Sequence, residues 1–337
     1  DANHTGSSDS KTFTISQAFV RAEYTGDWFV ASGTAPSFRI DVLPAVGPAG
    51  GTATHVDFSK DAVTAIFRVF PAGCSTSCPA AVFTSGPIPV TNAGDHGSTG
   101  RGVASVSGSS ALADDAYLVT VELSANGNVF GERAVAAFAV HPSNSTYVVG
   151  GGYIPADSAA SQPNQKGYFG FNVKKAKNSA IGSTVYIYRV RINPKLSTSQ
   201  KSGLSPCADL SAACRDVDII VRSTSLKSAS TTQSSTWPIA ATAIGTATIQ
   251  FVDSLTPNTT YDLLPPKLTL RYDAYDAAPG PTRDTFGISV YTTSGATTTL
   301  YHTAVNPETT QTGTSVATNT TLIAGNGADI SAPPGNR

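Results

Sequence analysis

The sequence predicts an all-β protein made of two antiparallel β-sandwich domains in tandem. The chain of 337 residues is rich in Ser and Thr, contains 30 Gly and 21 Pro, and has only 13% charged residues. This composition favours strands and turns over helices, and no segment sustains an apolar repeat of 3.6 residues. A chain of this length exceeds what one compact core usually contains, which predicts two domains.

Alternating apolar and polar residues recur along the first part of the chain. Each such segment predicts a half-buried strand, and clusters of Gly and Pro separate the segments at intervals of roughly ten residues. The clearest examples are Thr12–Ile15, Ser37–Val42, Ala65–Phe70 and Tyr117–Leu123. Regular strands with turn residues between them are typical of two antiparallel sheets packed face to face.

The chain divides into four predicted parts. Residues 1–11 form a polar N-terminal extension, 12–142 the first β-sandwich, 143–324 the second, and 325–337 a polar C-terminal tail. The joint between the sandwiches is placed just after His141, because Pro142 blocks continuation of a strand and polar residues follow it.

The end of the first sandwich carries a family resemblance. Gly102–Val106 precedes the acidic pair Asp114-Asp115, Tyr117 then opens an alternating strand, and Ala134–Val140 supplies the last strand. A Tyr at this place is the corner lock of immunoglobulin-like domains. The stretch therefore resembles the immunoglobulin-like modules of bacterial surface proteins.

A second resemblance covers about residues 147–305. Its motifs, in chain order, are Val148–Pro155, Gly167–Lys174, Asp216–Val221, Ile244–Ile249 and Asp284–Tyr291. This order is similar to an uncharacterised β domain that closes many modular bacterial extracellular proteins after immunoglobulin-like or PKD-type repeats. The resemblance implies secretion, an all-β and jelly-roll-like fold, and a place in surface proteins, and it brings no catalytic residues.

The predicted compartment is extracellular or at the cell surface. The sequence contains no Met and starts at Asp1, which is typical of a secreted chain after removal of a signal peptide. The four cysteines form two close pairs, Cys74 with Cys78 and Cys207 with Cys214, and no His lies beside either pair. We expect two local disulfides rather than zinc sites.

Four sequons are candidate N-glycosylation sites on exposed turns. Each has an Asn followed two residues later by Ser or Thr, at Asn3, Asn144, Asn258 and Asn319. A chain this rich in Ser and Thr also produces such triplets by chance, so both interpretations stay open.

Charge and hydropathy exclude two classes of partner. A net charge of −1 and a pI of about 6.6 give no electrostatic footprint for nucleic acid or an anionic membrane. The sequence has no apolar run of about 18 residues that would span a bilayer. We expect neither nucleic-acid binding nor a membrane span.

Motifs for catalysis are lacking in the sequence, so we predict a non-enzyme with no catalytic residues and no required cofactor. The chain has no Gly-x-Ser-x-Gly pentad, and its five His are scattered. Asp273, Asp276 and Asp284 bracket a Pro-Gly loop, where they suit either a calcium site or a plain Asx turn. Alternation places Asp216 and Asp218 together on one solvent face.

Two tryptophans near turns offer a carbohydrate-binding hypothesis. Trp28 follows Gly26-Asp27, and Trp237 precedes Pro238. Exposed Trp rings stack on sugars, but a Trp that seals the end of a sandwich core is the commoner arrangement. Exposure beside other aromatic residues would favour sugar binding.

Self-association is the function that the sequence favours. Residues 1–142 carry 7 basic and 12 acidic residues, whereas the remainder carries 15 and 11, so the halves have opposite net charge. Thr12, Phe13, Thr14 and Ile15 alternate as a strand that could complete a neighbour's sheet. We expect a secreted structural subunit that binds copies of itself in a filament or surface layer. The alternative is a monomeric adhesin or carbohydrate-binding module that recognises glycans or other surface proteins.

Overall fold

The computed structural model confirms an almost entirely β protein. It describes residues 18–45, 55–72, 80–94, 100–124, 129–142, 148–154, 167–192, 214–232, 239–255, 260–261, 268–276, 285–294, 297–304, 309–310, 321–324 and 329–331. Within these ranges there is one helix, α1 (Phe58–Asp61), which the Asp57 carboxylate caps by accepting a hydrogen bond from the Ser59 amide.

Eleven of the described strands lie in the first part of the chain. They are β1 Ala18–Tyr24, β2 Phe29–Ala31, β3 Ser37–Pro44, β4 Thr64–Pro71, β5 Phe83–Thr84, β6 Ile88–Pro89, β7 Thr91–Asn92, β8 Gly102–Ser107, β9 Asp115–Ser124, β10 Val129–Glu132 and β11 Ala134–His141. The segments predicted at Ser37–Val42, Ala65–Phe70 and Tyr117–Leu123 are confirmed as parts of β3, β4 and β9.

These strands form two sheets around a first core. The first sheet has the order β10-β1-β3-β8-β7, and the middle sheet has the order β2-β11-β9-β4-β5, with β6 also paired to β4. Neighbours are antiparallel except β1 with β10 and β2 with β11, which are parallel. Completely buried side chains such as Phe38 and Ile40 from the first sheet meet Phe67 and Phe138 from the middle sheet.

Twelve further strands form one large antiparallel sheet. They are β12 Val148–Ile154, β13 Gly167–Lys175, β14 Ala180–Ile192, β15 Arg215–Thr232, β16 Ile239–Asp253, β17 Thr260–Tyr261, β18 Leu268–Asp276, β19 Thr285–Ser294, β20 Thr297–Ala304, β21 Thr309–Thr310, β22 Thr321–Ala324 and β23 Asp329–Ser331. The order is β21-β22-β19-β18-β16-β15-β14-β13-β12-β23, with β17 beside β16 and β20 beside β19.

The large sheet bends so strongly that distant strands face each other across a second core. Phe169 on β13 stacks on Phe286 of β19 with ring centroids 4.0 Å apart, although four strands separate β13 from β19 in the sheet order. Phe171 meets Tyr272 of β18 at 5.0 Å. The sheet therefore encloses its own apolar core.

The middle sheet lies between the first sheet and the large sheet. Its outer face contributes Ala116, Leu118 and Ala137 to a cluster that contains Val185 and Ile187 from β14. Six consecutive residues of β9, from Ala116 to Val121, are consequently buried. The prediction of a half-buried strand is wrong here, because the second part of the chain covers the face that alternation assigned to solvent.

The corner at Tyr117 forms as the sequence predicts. The Tyr117 hydroxyl donates a hydrogen bond to the Ala113 carbonyl at 2.7 Å, four residues earlier in the chain. The ring is buried in the first core beside Phe138. This bond fixes the turn before β9, as a tyrosine corner does.

Candidate functional site

The predicted assembly strand leads directly into the first sheet. Thr12, Phe13, Thr14 and Ile15 lie outside the described residues, and β1 begins at Ala18, three residues after Ile15. Strand β1 is paired on both sides, with β3 and with β10. The segment is therefore covalently continuous with a strand that is hydrogen-bonded to a neighbour on each side.

Exposed apolar side chains are few in the part of the surface that the structure describes. Its exposed large apolar side chains are Leu43, Val82 and Ile181, at 39%, 51% and 51%. Leu43 is on the first sheet, Val82 is bonded to the middle sheet, and Ile181 is on the large sheet. Because these side chains are on different sheets, unpaired backbone at strand edges is the more continuous surface for association.

Trp28 joins the first and second parts of the chain. It lies between β1 and β2, and its ring is within 5.1 Å of Tyr24 and 5.9 Å of both Tyr153 and Tyr168, measured between centroids. Tyr153 and Tyr168 belong to the large sheet. Trp28 is half-buried, and its packing among three tyrosines is typical of a residue that seals the space between sheets. Trp237 lies outside the described residues.

A buried ion cluster links the middle sheet to the large sheet. The Asp218 carboxylate, with no exposed surface, accepts hydrogen bonds from Arg133 Nε at 2.9 Å and from Arg189 Nε at 2.7 Å. Arg189 Nη2 also donates to the Arg133 carbonyl at 2.9 Å. Arg133 stands between β10 and β11, Arg189 is on β14 and Asp218 is on β15. Charged hydrogen bonds thus hold the two parts together.

The pKa of Asp218 reflects two opposing effects. Burial alone raises the pKa of this carboxyl, but the positive charges of Arg189 and Arg133 and their hydrogen bonds bring it below the ordinary value. The carboxylate is therefore ionised at neutral pH. The prediction that Asp218 shares a solvent face with Asp216 is wrong, because the middle sheet covers this end of β15.

Sequence reasoning missed this cluster, although one signal for it exists. Arg189 and Asp218 are direct register partners on β14 and β15. An opposite-charge pair across neighbouring strands is a recognisable pattern once the strands are known to pair. The contribution of Arg133, 85 residues from Asp218, has no local signal.

Another buried cation, Arg222, lies farther along β15. It is 3% exposed, and its Nη1 donates to the Pro71 carbonyl at 3.3 Å. Burial lowers its pKa to about 10. Within the described ranges its Nε has no hydrogen-bond partner. This arginine is thus another contact between the large sheet and the end of β4.

The predicted calcium ligands are placed only in part. Asp273 is 2% exposed on β18, where its carboxylate accepts hydrogen bonds from Thr242 Oγ1 at 2.6 Å and Arg271 Nε at 2.9 Å. The Asp276 side chain and Asp284 lie outside the described residues. In the described part of the chain, no three His, Cys, Asp or Glu side chains form a group that could hold a metal ion. The calcium site stays a prediction.

The predicted modification sites also fall largely outside the described residues. Cys214 is buried immediately before β15, whereas its proposed partner Cys207 is not described. The remaining members of this set outside the description are Cys74, Cys78, Asn3, Asn144, Asn258 and Asn319. Both disulfides and all four glycosylation sites stay predictions.

No helix in the described ranges is long and apolar enough to cross a membrane. The chain matches no protein-family model, and no curated protein is significantly similar to it.

Proposed function

We propose that this chain is a non-catalytic, secreted structural subunit that assembles with copies of itself into an extracellular filament or surface layer. Assembly proceeds by strand exchange, in which the segment containing Thr12 to Ile15 of one copy completes a sheet of the next. The observation that carries the proposal is the position of this alternating segment directly before β1, in a protein whose described strands form three sheets with several edges.

The contacts between the sheets support a structural role for the protein. The middle sheet packs apolar surface on both sides, and the Asp218 cluster and Trp28 tie the first part of the chain to the large sheet. A subunit of a filament has to transmit load between its two ends without coming apart. Apolar cores with buried charged hydrogen bonds suit that role.

The finer architecture belongs to the same proposal. We take the first part as an immunoglobulin-like sandwich and the second as a jelly-roll-like sandwich, placed in tandem as in modular surface proteins. The Tyr117 hydrogen bond to Ala113 supports the first assignment, and the strong bend of the large sheet supports the second.

Electron microscopy with size-exclusion chromatography tests the proposal. The full chain is compared with a variant that lacks residues 1–16 and with two point variants, Phe13→Asp and Thr14→Asp. In a donated strand Phe13 and Thr14 face opposite sides, so the same added charge is buried in one variant and solvated in the other.

The full chain and Thr14→Asp are expected to form long regular polymers, whereas the truncated chain and Phe13→Asp are not. Monodisperse particles near 34.5 kDa from the full chain would overturn the proposal. The adhesin alternative would then be tested on glycan arrays, with Trp28 and Trp237 replaced.

A further inference from the structure

We propose that the outer edge of β20 (Thr297–Ala304) accepts residues 11–16 of a second copy. This inference rests on the proposed function, because it names the partner strand for the same exchange. Strand β20 pairs with β19 on one side, and no other strand among the described residues pairs with it. An unpaired row of backbone N–H and C=O groups is a template for an added strand.

Length distinguishes β20 from the other strands that, in the described part of the chain, pair with a neighbour on one side only. It has eight residues, whereas β10 has four, β2 and β23 have three each, and β5, β6, β7, β17 and β21 have two each. A donated segment of six residues in extended conformation spans roughly 20 Å. Among these edges, β20 alone offers a partner of that length.

Composition gives a second, independent reason. Natural edge strands are usually protected by charged residues, by Pro or by shortness. The sequence of β20, TTTLYHTA, has no Lys, Arg, Asp, Glu, Pro or Gly. One irregularity interrupts its ladder with β19, a register shift between Val290 and Tyr291, and four regular pairs lie on its Thr297 side. A long edge without charge is expected to be covered in the working protein.

The pairing of β20 with β19 places this edge next to the second core. Ala304 and His302 are opposite Ile288 and Val290, and both of these β19 side chains are completely buried in the second core. A strand added beyond β20 continues the same face of the sheet. The two apolar residues of the donor segment, which are two positions apart, would lie together on one such face.

Photo-crosslinking in the full chain tests the acceptor edge. Phe13 is replaced by benzoylphenylalanine, an aromatic residue of similar shape that forms a covalent bond to nearby C–H groups on illumination. Isotope-labelled and unlabelled copies are mixed before assembly, so that crosslinks between copies are identified by mass spectrometry. We expect crosslinks between copies at residues 297–304.

Two proline variants supply a matched pair. Backbone N–H groups of successive strand residues point to opposite edges, so Thr298→Pro and Thr299→Pro differ in the edge that loses a donor. We expect the variant that loses an N–H group facing β19 to melt at a lower temperature, because a hydrogen bond to β19 is lost. The variant that loses an N–H group facing the outer edge is expected to melt like the unaltered chain and to lose polymer formation.

The outcomes separate this inference from the proposed function. Two results would overturn β20 as the acceptor but leave the proposal of self-assembly intact. One is a polymer whose crosslinks map to another strand. The other is a polymer that still forms in the proline variant with unaltered melting. Crosslinks only within one copy, or a full chain that stays monomeric, overturn both.

Discussion

The two faces of the middle sheet are built on different principles. The inner face meets the first sheet through large apolar side chains, among them Phe67, Val119 and Phe138, in the first core. The outer face meets the large sheet through a smaller apolar cluster, which includes Leu118 and Ala137, and through the charged cluster at Asp218. Both contacts bury apolar area, and the outer contact depends in addition on close fit and on charge pairing.

Close backbone approach makes the outer contact specific. A Cβ built on Gly170 of β13 would lie 2.9 Å from both the nitrogen and the carbonyl carbon of Phe138 on β11. Two residues along, Asn172 Nδ2 donates to the Val140 carbonyl at 3.1 Å. An apolar core can repack around a changed side chain, but two backbones at this distance leave no such freedom.

The largest expected effect comes from removing the charge at the centre of the outer contact. Asp218→Ala leaves Arg133 and Arg189 buried beside each other without their carboxylate. We expect the free energy of unfolding to fall by about 3–5 kcal/mol. Urea denaturation followed by intrinsic fluorescence measures the change.

The matched control is an ion pair on a more exposed part of the middle sheet. Glu122 contacts Arg68 across β9 and β4, with side chains 37% and 30% exposed. Glu122→Gln is expected to cost less than about 1 kcal/mol. Equal losses in the two variants would show that the Asp218 cluster does not hold the layers together.

A smaller loss is expected from filling the space between β11 and β13. Gly170→Ala places a methyl group against the Phe138 backbone, which forces the middle and large sheets apart locally. Overpacking of this kind costs about 1–3 kcal/mol. The control is Gly86→Ala, because a Cβ at Gly86 meets nothing within 4 Å. Thermal melting of both variants makes the comparison, and an unchanged melting temperature for Gly170→Ala would contradict the close approach.

The same contrast explains which parts of the structure could be predicted. Alternation along Ser37–Val42 identifies β3 because a strand with one face on a core leaves a local pattern in the sequence. The corner at Tyr117 is also local, since its hydrogen bond spans four residues. The all-β class and the strands of the first core follow from such short-range signals.

The outer contact left no comparable signal. Alternation shows that Asp216 and Asp218 share a face of β15, but whether that face meets water depends on a sheet formed much earlier in the chain. In β9, the polar residue Thr120 breaks an otherwise apolar run, yet it is buried like its neighbours. Contacts between layers are set by the relative placement of whole sheets, which no local pattern encodes.

The smallest expected effect concerns Asp115, a second carboxyl at the outer contact. Burial raises the pKa of Asp115 above its ordinary value, and hydrogen bonds from Ser183 on β14 and from the Ala116 and Ala72 amides offset only part of this. The pKa of Asp218 is shifted in the opposite direction, because its two arginines lower it below the ordinary value. The stabilisation that the ionised Asp218 contributes to the folded state is present above the pKa of the unfolded chain, about 3.9. It is lost as the pH falls through the folded-state pKa of Asp218.

For Asp115, the stability of the folded state depends on pH in the opposite direction. As the pH rises from the unfolded-state pKa through the raised folded-state pKa, the unfolded chain ionises first and the native state loses stability. Asp115→Asn lacks this loss, so its stability relative to the unaltered chain should increase from acid to neutral pH, by less than about 1 kcal/mol. Denaturation at a series of pH values, with the exposed neighbour in Asp114→Asn as control, measures it. A difference that is constant with pH, or that favours the unaltered chain at neutral pH, would contradict the burial of this carboxyl against β14.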